Sequence, residues 1–289
     1  MGSKMAENLL KKNHTLVLYD SNPDVCKPLV EKGAKVLSSP AEVAENCEKL
    51  ISMVPKPDHV RAVYFGPNGA IAGAKKGTIL MDSSTIDAET SREVFAEAQK
   101  VGIEFLDTPV SGAVPAAAAA TLTFMCGGKK EVVDQVRDVL LCMGKKVVHV
   151  GDNGAGCIAK ICNNMMLGIS MIGVSETLNL SKRLGLDPKL MTEILNISSG
   201  RCWSSEVYNP VPGIGDSALP PNHNYDGGFM VDLIAKDLML AQSVAANSNT
   251  PTPMGTLACQ LYRIMLNNGY SKKDMTYAYP YFQEKLSQH

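Results

Sequence analysis

The sequence predicts an α/β fold, a Rossmann-like doubly wound sheet, followed by an all-α region built on one long central helix. Three observations predict it. Short β-rich runs alternate with helical spacing up to Val150, the pattern of βαβ units in a mostly parallel sheet. Strand signal almost vanishes beyond Gly154. Residues 155–183 then run without proline and with apolar positions on more than one face, as in a buried helix.

The elements follow in order. Residues 4–12 (KMAENLLKK) have helical spacing, and 14–19 (HTLVLY) are a short β-rich run ending at Asp20. Residues 23–32 read as a helix, 34–37 as a strand, 42–48 as a helix and 49–54 (KLISMV) as a strand stopped by Pro55 and Pro57. A helix at 58–65, a strand at 77–81 and a helix at 88–100 continue the alternation. Strands at 103–106 and 122–126 flank a loop, and a helix at 131–141 leads to a strand at 146–150. Residues 209–228, rich in Pro, Gly and Asn, read as a loop between helices. The chain thus divides into 1–152, a dinucleotide-binding domain incomplete at its N-terminus, and 153–289, a helical domain suited to dimerisation; 289 residues allow two ordinary domains.

Charge narrows the partners. Lys plus Arg number 28 against 29 for Asp plus Glu. No basic excess favours nucleic acid and no acidic excess favours disorder, which leaves a small molecule or another copy of the chain. Eight cysteines form no CxxC pair and five histidines are dispersed, so buried or neutral thiols in a reducing compartment are expected and no zinc site. No run of about eighteen apolar residues is read, so no membrane span is expected, nor is a targeting peptide.

A dinucleotide fold opens with a strand, a glycine-rich turn and a helix. Here a helix begins almost at once, with Gly2 where the last glycine of that turn would stand. The expectation is a chain without its first strand and most of its phosphate loop, as in a truncated isoform or an incomplete gene model. Two inner sheet edges would then go unpaired, weakening the fold or cofactor binding. Asp20 ends the next strand, where a carboxylate binds the ribose hydroxyls of NAD and repels a 2′-phosphate; a turn-forming Asp is the plainer alternative.

Lys160 lies in the first turns of the long helix, where the helix dipole disfavours a cation. Burial among Ile158, Ile161 and the methionines would lower its pKa further, toward the range useful for proton transfer. Asn164, four residues on, shares its face. Taken alone, an ordinary solvated lysine snorkelling to the surface is the favoured reading. Ser111 and Gly112 follow a Pro and offer a hydroxyl and backbone N–H groups, but locally a simple turn is the favoured reading. Val54-Pro55 and Thr85 end strands at the carboxyl edge, where dinucleotides bind, though a strand stop and a helix N-cap are compatible roles. Lys236 alone reads as a surface charge paired with Asp232 or Asp237, and Asp274 as solvated. Trp203 and Tyr208 read as packing residues, and Arg201 as a carboxylate partner or a helix cap.

Three segments carry a resemblance. They are DTPVSGA from Asp107 to Ala113, GAGCIAKICNN from Gly154 to Asn164, and SSGRCWSSEVYNPVPG from Ser198 to Gly213. With them the chain, from Gly2 to about Gln283, resembles the 3-hydroxyisobutyrate dehydrogenase branch of the β-hydroxyacid dehydrogenases. The resemblance implies NAD-dependent oxidation of 3-hydroxyisobutyrate to methylmalonate semialdehyde, a step of valine catabolism. It implies Lys160 as general acid/base, Asn164 helping to hold substrate, and Ser111, Gly112 and Ala113 around the substrate carboxylate. Lys236 would contact cofactor beside Gly2, Asp20, Val54, Pro55 and Thr85. It further implies no metal, a homodimer or homotetramer, the mitochondrial matrix, and Trp203 and Tyr208 at the active-site wall or a subunit contact.

The chain departs from the family pattern at Ala113, which replaces a glycine, at the following Val114-Pro115 and the alanines 116–120, and at His59. Two other readings stay open: a non-catalytic subunit or binding module, and a reductase for another short 3-hydroxy acid.

Overall fold

The computed structural model describes residues 1–284, so the last residues of the expected helical region lie outside it. Two compact units divide the chain, Met1–Lys160 and Ile161–His289. The first carries eight strands: β1 (Val17–Leu18), β2 (Lys35–Val36), β3 (Lys49–Ser52), β4 (Ile79–Asp82), β5 (Glu104–Asp107), β6 (Val110–Ser111), β7 (Leu122–Gly127) and β8 (Gly144–Gly151). Between them run α1 (Gly2–Lys11), α2 (Lys27–Val30), α3 (Pro40–Glu45), α4 (Pro57–Tyr64), α5 (Ala70–Gly73), α6 (Ala88–Lys100), α7 (Ala113–Ala118) and α8 (Lys130–Leu141). Helix α9 (Ala155–Arg183) leaves the first unit and continues into the second. There follow α10 (Pro188–Ile197), α11 (Trp203–Glu206), α12 (Val231–Asn247), α13 (Pro253–Asn267) and α14 (Ala278–Glu284).

The main sheet has the order β3-β4-β5-β7-β6, with β8 also on β7. Pairs β3–β4, β4–β5 and β7–β8 are parallel, whereas β7 meets β5 and β6 antiparallel. Strands β1 and β2 form a separate parallel pair. Alternation along β4 and β5 sorts side chains onto two faces. Ile79, Met81 and Leu106 join Phe124, Val133 and Val136 in one core, while Leu80 and Phe105 join Tyr64, Val94 and Ala98 in the other. A sheet covered on both faces needs apolar runs without polar alternation, and all four residues of β4 are buried. Helix α6 begins where Asp87 accepts the Thr90 amide at 2.7 Å, a side-chain cap for an otherwise orphan N–H.

In the second unit, Met171, Ile234, Leu238, Tyr262 and Phe282 form one core, and Val174, Leu178, Val211 and Tyr279 a smaller one. Helix α9 contributes to both, as a helix apolar on several faces should.

Several expectations are corrected. Residues 23–32 are a 3-10 turn (Pro23–Cys26) and the single-turn α2, because Pro23 and Pro28 remove the amides a longer helix needs. The expected loop between β5 and β7 contains β6 and α7, so the first three alanines of the run, up to Ala118, are helical. Helix α9 is, by length and composition, apolar enough to cross a membrane, with mean hydropathy 1.4 over 18 residues. Forty-four per cent of that window is buried inside the protein, and buried Lys160, Asn164, Ser175 and Ser181 interrupt its apolar side chains. All eight cysteines are free, and Cys162 is exposed.

Candidate active site

The carboxyl ends of β1, β3 and β4 carry the residues expected around a dinucleotide. Asp20 is exposed just past β1, its carboxylate held by the Asn22 amide at 2.8 Å. Helix α1 starts at Gly2, and a Cβ there would stand 3.7 Å from Met53, which puts the first turn of α1 beside the end of β3. Backbone N–H groups at such a terminus favour a phosphate. Val54 is half-buried and Pro55 exposed. The Val54 amide donates to Ser84 Oγ at 2.9 Å, and Thr85, half-buried, follows Ser84 directly. The N-cap of α6 is Asp87, not Thr85, because Asp87 accepts the amide at the third helical position. These groups fit a dinucleotide: a carboxylate for ribose hydroxyls, a helix terminus for phosphate, and two strand-end loops tied together.

That tie rests on a buried network. Asp82 Oδ1 accepts from Ser52 Oγ at 2.5 Å and Ser84 Oγ at 2.7 Å, and Tyr64 Oη lies 2.7 Å from Ser52 Oγ. Asp82 Oδ2 is buried without a hydrogen-bond partner. Burial pushes the Asp82 carboxyl up to about 6, against the pull of Ser52 and Ser84.

The next strand ends on Asp107, which is fully buried. Its Oδ1 accepts the Gly154 amide at 2.7 Å and its Oδ2 the Cys157 amide at 3.0 Å. Asp107 therefore caps α9 from a neighbouring strand, satisfying N–H groups that have no partner within the helix. Burial raises its carboxyl above the ordinary range, and the two amides pull it back down. One turn further on, Lys160 is 8% exposed beside the buried Ile161. Ile158 is 39% exposed and does not belong to that apolar shell, contrary to expectation.

Ser111 lies on β6, opposite Thr123 of β7, and is half-buried. Gly112 has φ 137°, and a Cβ there would collide with Ala116. Ala113 adopts φ 56°, a left-handed conformation that suits the glycine of the family pattern and strains an alanine.

In the second unit, Asn164 is buried and donates from Nδ2 to Asp237 Oδ2 at 2.5 Å, while its Oδ1 accepts from Asn163 Nδ2 at 3.0 Å. Lys236 is half-buried and pairs with Asp237 at 3.2 Å; Asp232 instead meets Lys272. Asp237 thus gathers both expected residues of this unit. Sequence reading missed its role, because Asn164 lies 73 residues away, and the only local signal was its place beside Lys236.

Arg201 pairs with Glu206 through two nitrogens, at 3.0 and 2.8 Å. Trp203 stacks on Tyr208 with ring centroids 4.9 Å apart. Asp274 is not solvated: it is fully buried and accepts from Tyr208 Oη, the Phe229 amide and Thr276.

Known proteins match along the whole chain. The family model for the NAD binding domain of 6-phosphogluconate dehydrogenase matches residues 1–151. A second model, described as NAD-binding of NADP-dependent 3-hydroxyisobutyrate dehydrogenase, matches residues 154–282. Mitochondrial 3-hydroxyisobutyrate dehydrogenase of Mus musculus is 51% identical over 99% of this chain and 85% of its own length. The NAD-dependent L-serine dehydrogenase of Pseudomonas aeruginosa is 42% identical over 96% of this chain and 92% of its own. The solved 3-hydroxyisobutyrate dehydrogenase of Mycobacterium tuberculosis with L-serine superposes with a TM-score of 0.92 at 33% identity, covering 98% of this chain and 96% of the other.

Proposed function

The chain belongs to the 3-hydroxyisobutyrate dehydrogenase family, and we propose that it oxidises 3-hydroxyisobutyrate to methylmalonate semialdehyde, a step of valine catabolism. It is an NAD-dependent hydroxyacid dehydrogenase. The observation that carries the chemical reading is Lys160, an 8% exposed lysine in the second turn of α9.

Bound NAD supplies the acceptor for the hydride that leaves the carbinol carbon. The chain's own residues manage the rest. The Lys160 amine takes the hydroxyl proton, so that one hydride and one proton leave the alcohol and a carbonyl remains. Ser111 and Gly112 hold the substrate carboxylate through a hydroxyl and backbone N–H groups, and Asn164 orients the substrate from the same helix as the lysine. Asp237 fixes the Asn164 amide through its 2.5 Å bond. Asp20 favours NAD over NADP, because its carboxylate would repel a 2′-phosphate.

A second reading has a specific observation behind it. One relative is named for L-serine and one related structure contains it. L-serine shares the primary alcohol and carboxylate of 3-hydroxyisobutyrate but carries an ammonium in place of the methyl group. NADH formation with both acids decides: the proposal expects the larger kcat/KM for 3-hydroxyisobutyrate, and the reverse order reassigns the substrate. No turnover with either acid, and no NAD binding by a folded chain, would support a non-catalytic subunit instead.

The mouse relative is named mitochondrial, which supports a mitochondrial site of action, in the matrix, testable by fractionation. Exposed Leu184, Ile194, Ile197, Met254 and Leu257 in the second unit support a homodimer or homotetramer. Light scattering that finds only monomer contradicts it.

A further inference from the structure

Asp107 does more than open the substrate-loop motif. Its backbone is fixed in the sheet, in register with Asp82 on one side and Gly127 on the other. Thr108, the next residue, donates its amide to the Asp82 carbonyl at 2.7 Å. Four residues beyond Asp107, Ser111 is held opposite Thr123 on β7. The same residue reaches the helix through its side chain, one oxygen on the Gly154 amide and the other on the Cys157 amide. Lys160 is three residues past Cys157, so it leaves the helix on nearly the same face. One carboxylate therefore sets where the first turn of α9 lies relative to the sheet that carries the Ser111 loop.

Only an aspartate satisfies this geometry. Both oxygens accept an N–H, so an asparagine would turn an NH₂ toward one of the two amides and leave that donor buried and unmet. A longer glutamate lacks room, because the carboxylate is hemmed on both sides. A Cβ on Gly127 would stand 2.6 Å from Oδ1, and one on Gly156 2.7 Å from Oδ2. The two glycines are the space the carboxylate occupies.

We propose that Asp107 is a positioning residue for the reaction, holding the first turn of α9 so that the Lys160 amine meets a substrate carboxylate seated at Ser111. This rests on Lys160 acting as the base, so the test separates the two claims. Lys160→Ala with undiminished turnover overturns the base assignment itself, and Asp107 then has no reaction to serve. Hydrogen exchange at the Gly154 and Cys157 amides reads the anchor without reference to activity.

For Asp107→Asn, with NAD and 3-hydroxyisobutyrate, kcat falls about 10- to 100-fold, as a displacement of roughly an ångström would cause. KM for NAD stays within about twofold, because none of the groups placed around the dinucleotide is touched, and the two amides exchange faster. Introduced into Lys160→Ala, the same substitution lowers the residual rate by less than about twofold, since a positioning group has nothing left to position. A folded Asp107→Asn protein with wild-type kcat overturns the proposal, as do equal fractional losses in both backgrounds. Should Asp107→Asn fail to fold, Gly127→Ala presses on Oδ1 from β7 and gives the same split, a lower kcat at steady KM for NAD; unchanged kcat in that variant also overturns it.

Discussion

Asp82 and Asp107 stand side by side in register at the carboxyl ends of β4 and β5. Both are buried aspartates in one sheet, yet they are satisfied differently. Asp82 leans on hydroxyl groups through Oδ1 and leaves Oδ2 without a partner, whereas both Asp107 oxygens accept helix amides. Hydroxyls rotate and can turn to serve a carboxyl or a carboxylate, whereas helix amides are fixed donors that require an acceptor. The first arrangement ties the loops after β3 and β4 together and tolerates protonation; the second locks a helix to a sheet and requires the anion.

The Asp82 carboxyl, pushed up to about 6 by burial, lies above that of an exposed aspartate, about 3.9. The folded chain therefore keeps this proton to higher pH than the unfolded one, and stability falls as pH rises across the interval. Two pH units correspond to about 2–3 kcal/mol. Denaturant unfolding between pH 4 and pH 6, roughly the span of those two values, should show that decline, and Asp82→Asn should remove most of it. A variant with the same slope as the wild type would mean that Asp82 is not the group responsible.

Around Asp107 the contrast is steric. Gly156→Ala drives a Cβ to 2.7 Å from Oδ2 and into the Met125 carbonyl, which should cost about 1–3 kcal/mol. Gly173→Ala, on the same helix with nothing within 4 Å of the added Cβ, should stabilise by about 0.5–1 kcal/mol through helix propensity. Equal thermal shifts for the two would show that the fit around the carboxylate is loose.

Ser84→Ala removes the hydroxyl that both donates to Asp82 and accepts from the Val54 amide. The expected loss is about 1–2 kcal/mol, with KM for NAD raised several-fold while kcat is nearly kept. A change in kcat alone would move Ser84 out of the cofactor edge. Smallest of all, Ala113→Gly should relieve the left-handed backbone at φ 56° and stabilise by about 1 kcal/mol, measurable as a higher melting temperature with turnover retained.

How much of this was legible beforehand depends on how local each cause is. Helices α6 and α9 were readable to the residue, since their helical spacing lies within the segment itself, although the cap of α6 was read at Thr85 and stands at Asp87. The β1 and β2 strands are two residues each, shorter than the β-rich runs that suggested them, because extended residues outside a ladder look the same in sequence. Helix α7 was invisible, for Gly-Ala-Val-Pro reads as a turn and the helix is fastened by Asn8 donating to the Ala117 carbonyl at 2.6 Å across 109 residues. The site followed the same rule. Lys160 and Asn164 were singled out by the family resemblance and not by spacing alone, while Asp237 has its partner Asn164 73 residues away and Asp274 has Tyr208 66 residues away. Asp274 read as solvated, whereas partners distant in sequence bury it.

The central claim is that one buried amine moves the proton. Lys160→Met keeps most of the side-chain volume and removes only the nitrogen's chemistry. Its NADH formation from 3-hydroxyisobutyrate should fall by about 10²–10⁴-fold, while calorimetry finds NAD bound as in the wild type and the melting temperature is not lowered. Turnover within a few-fold of wild type in that variant would contradict the account.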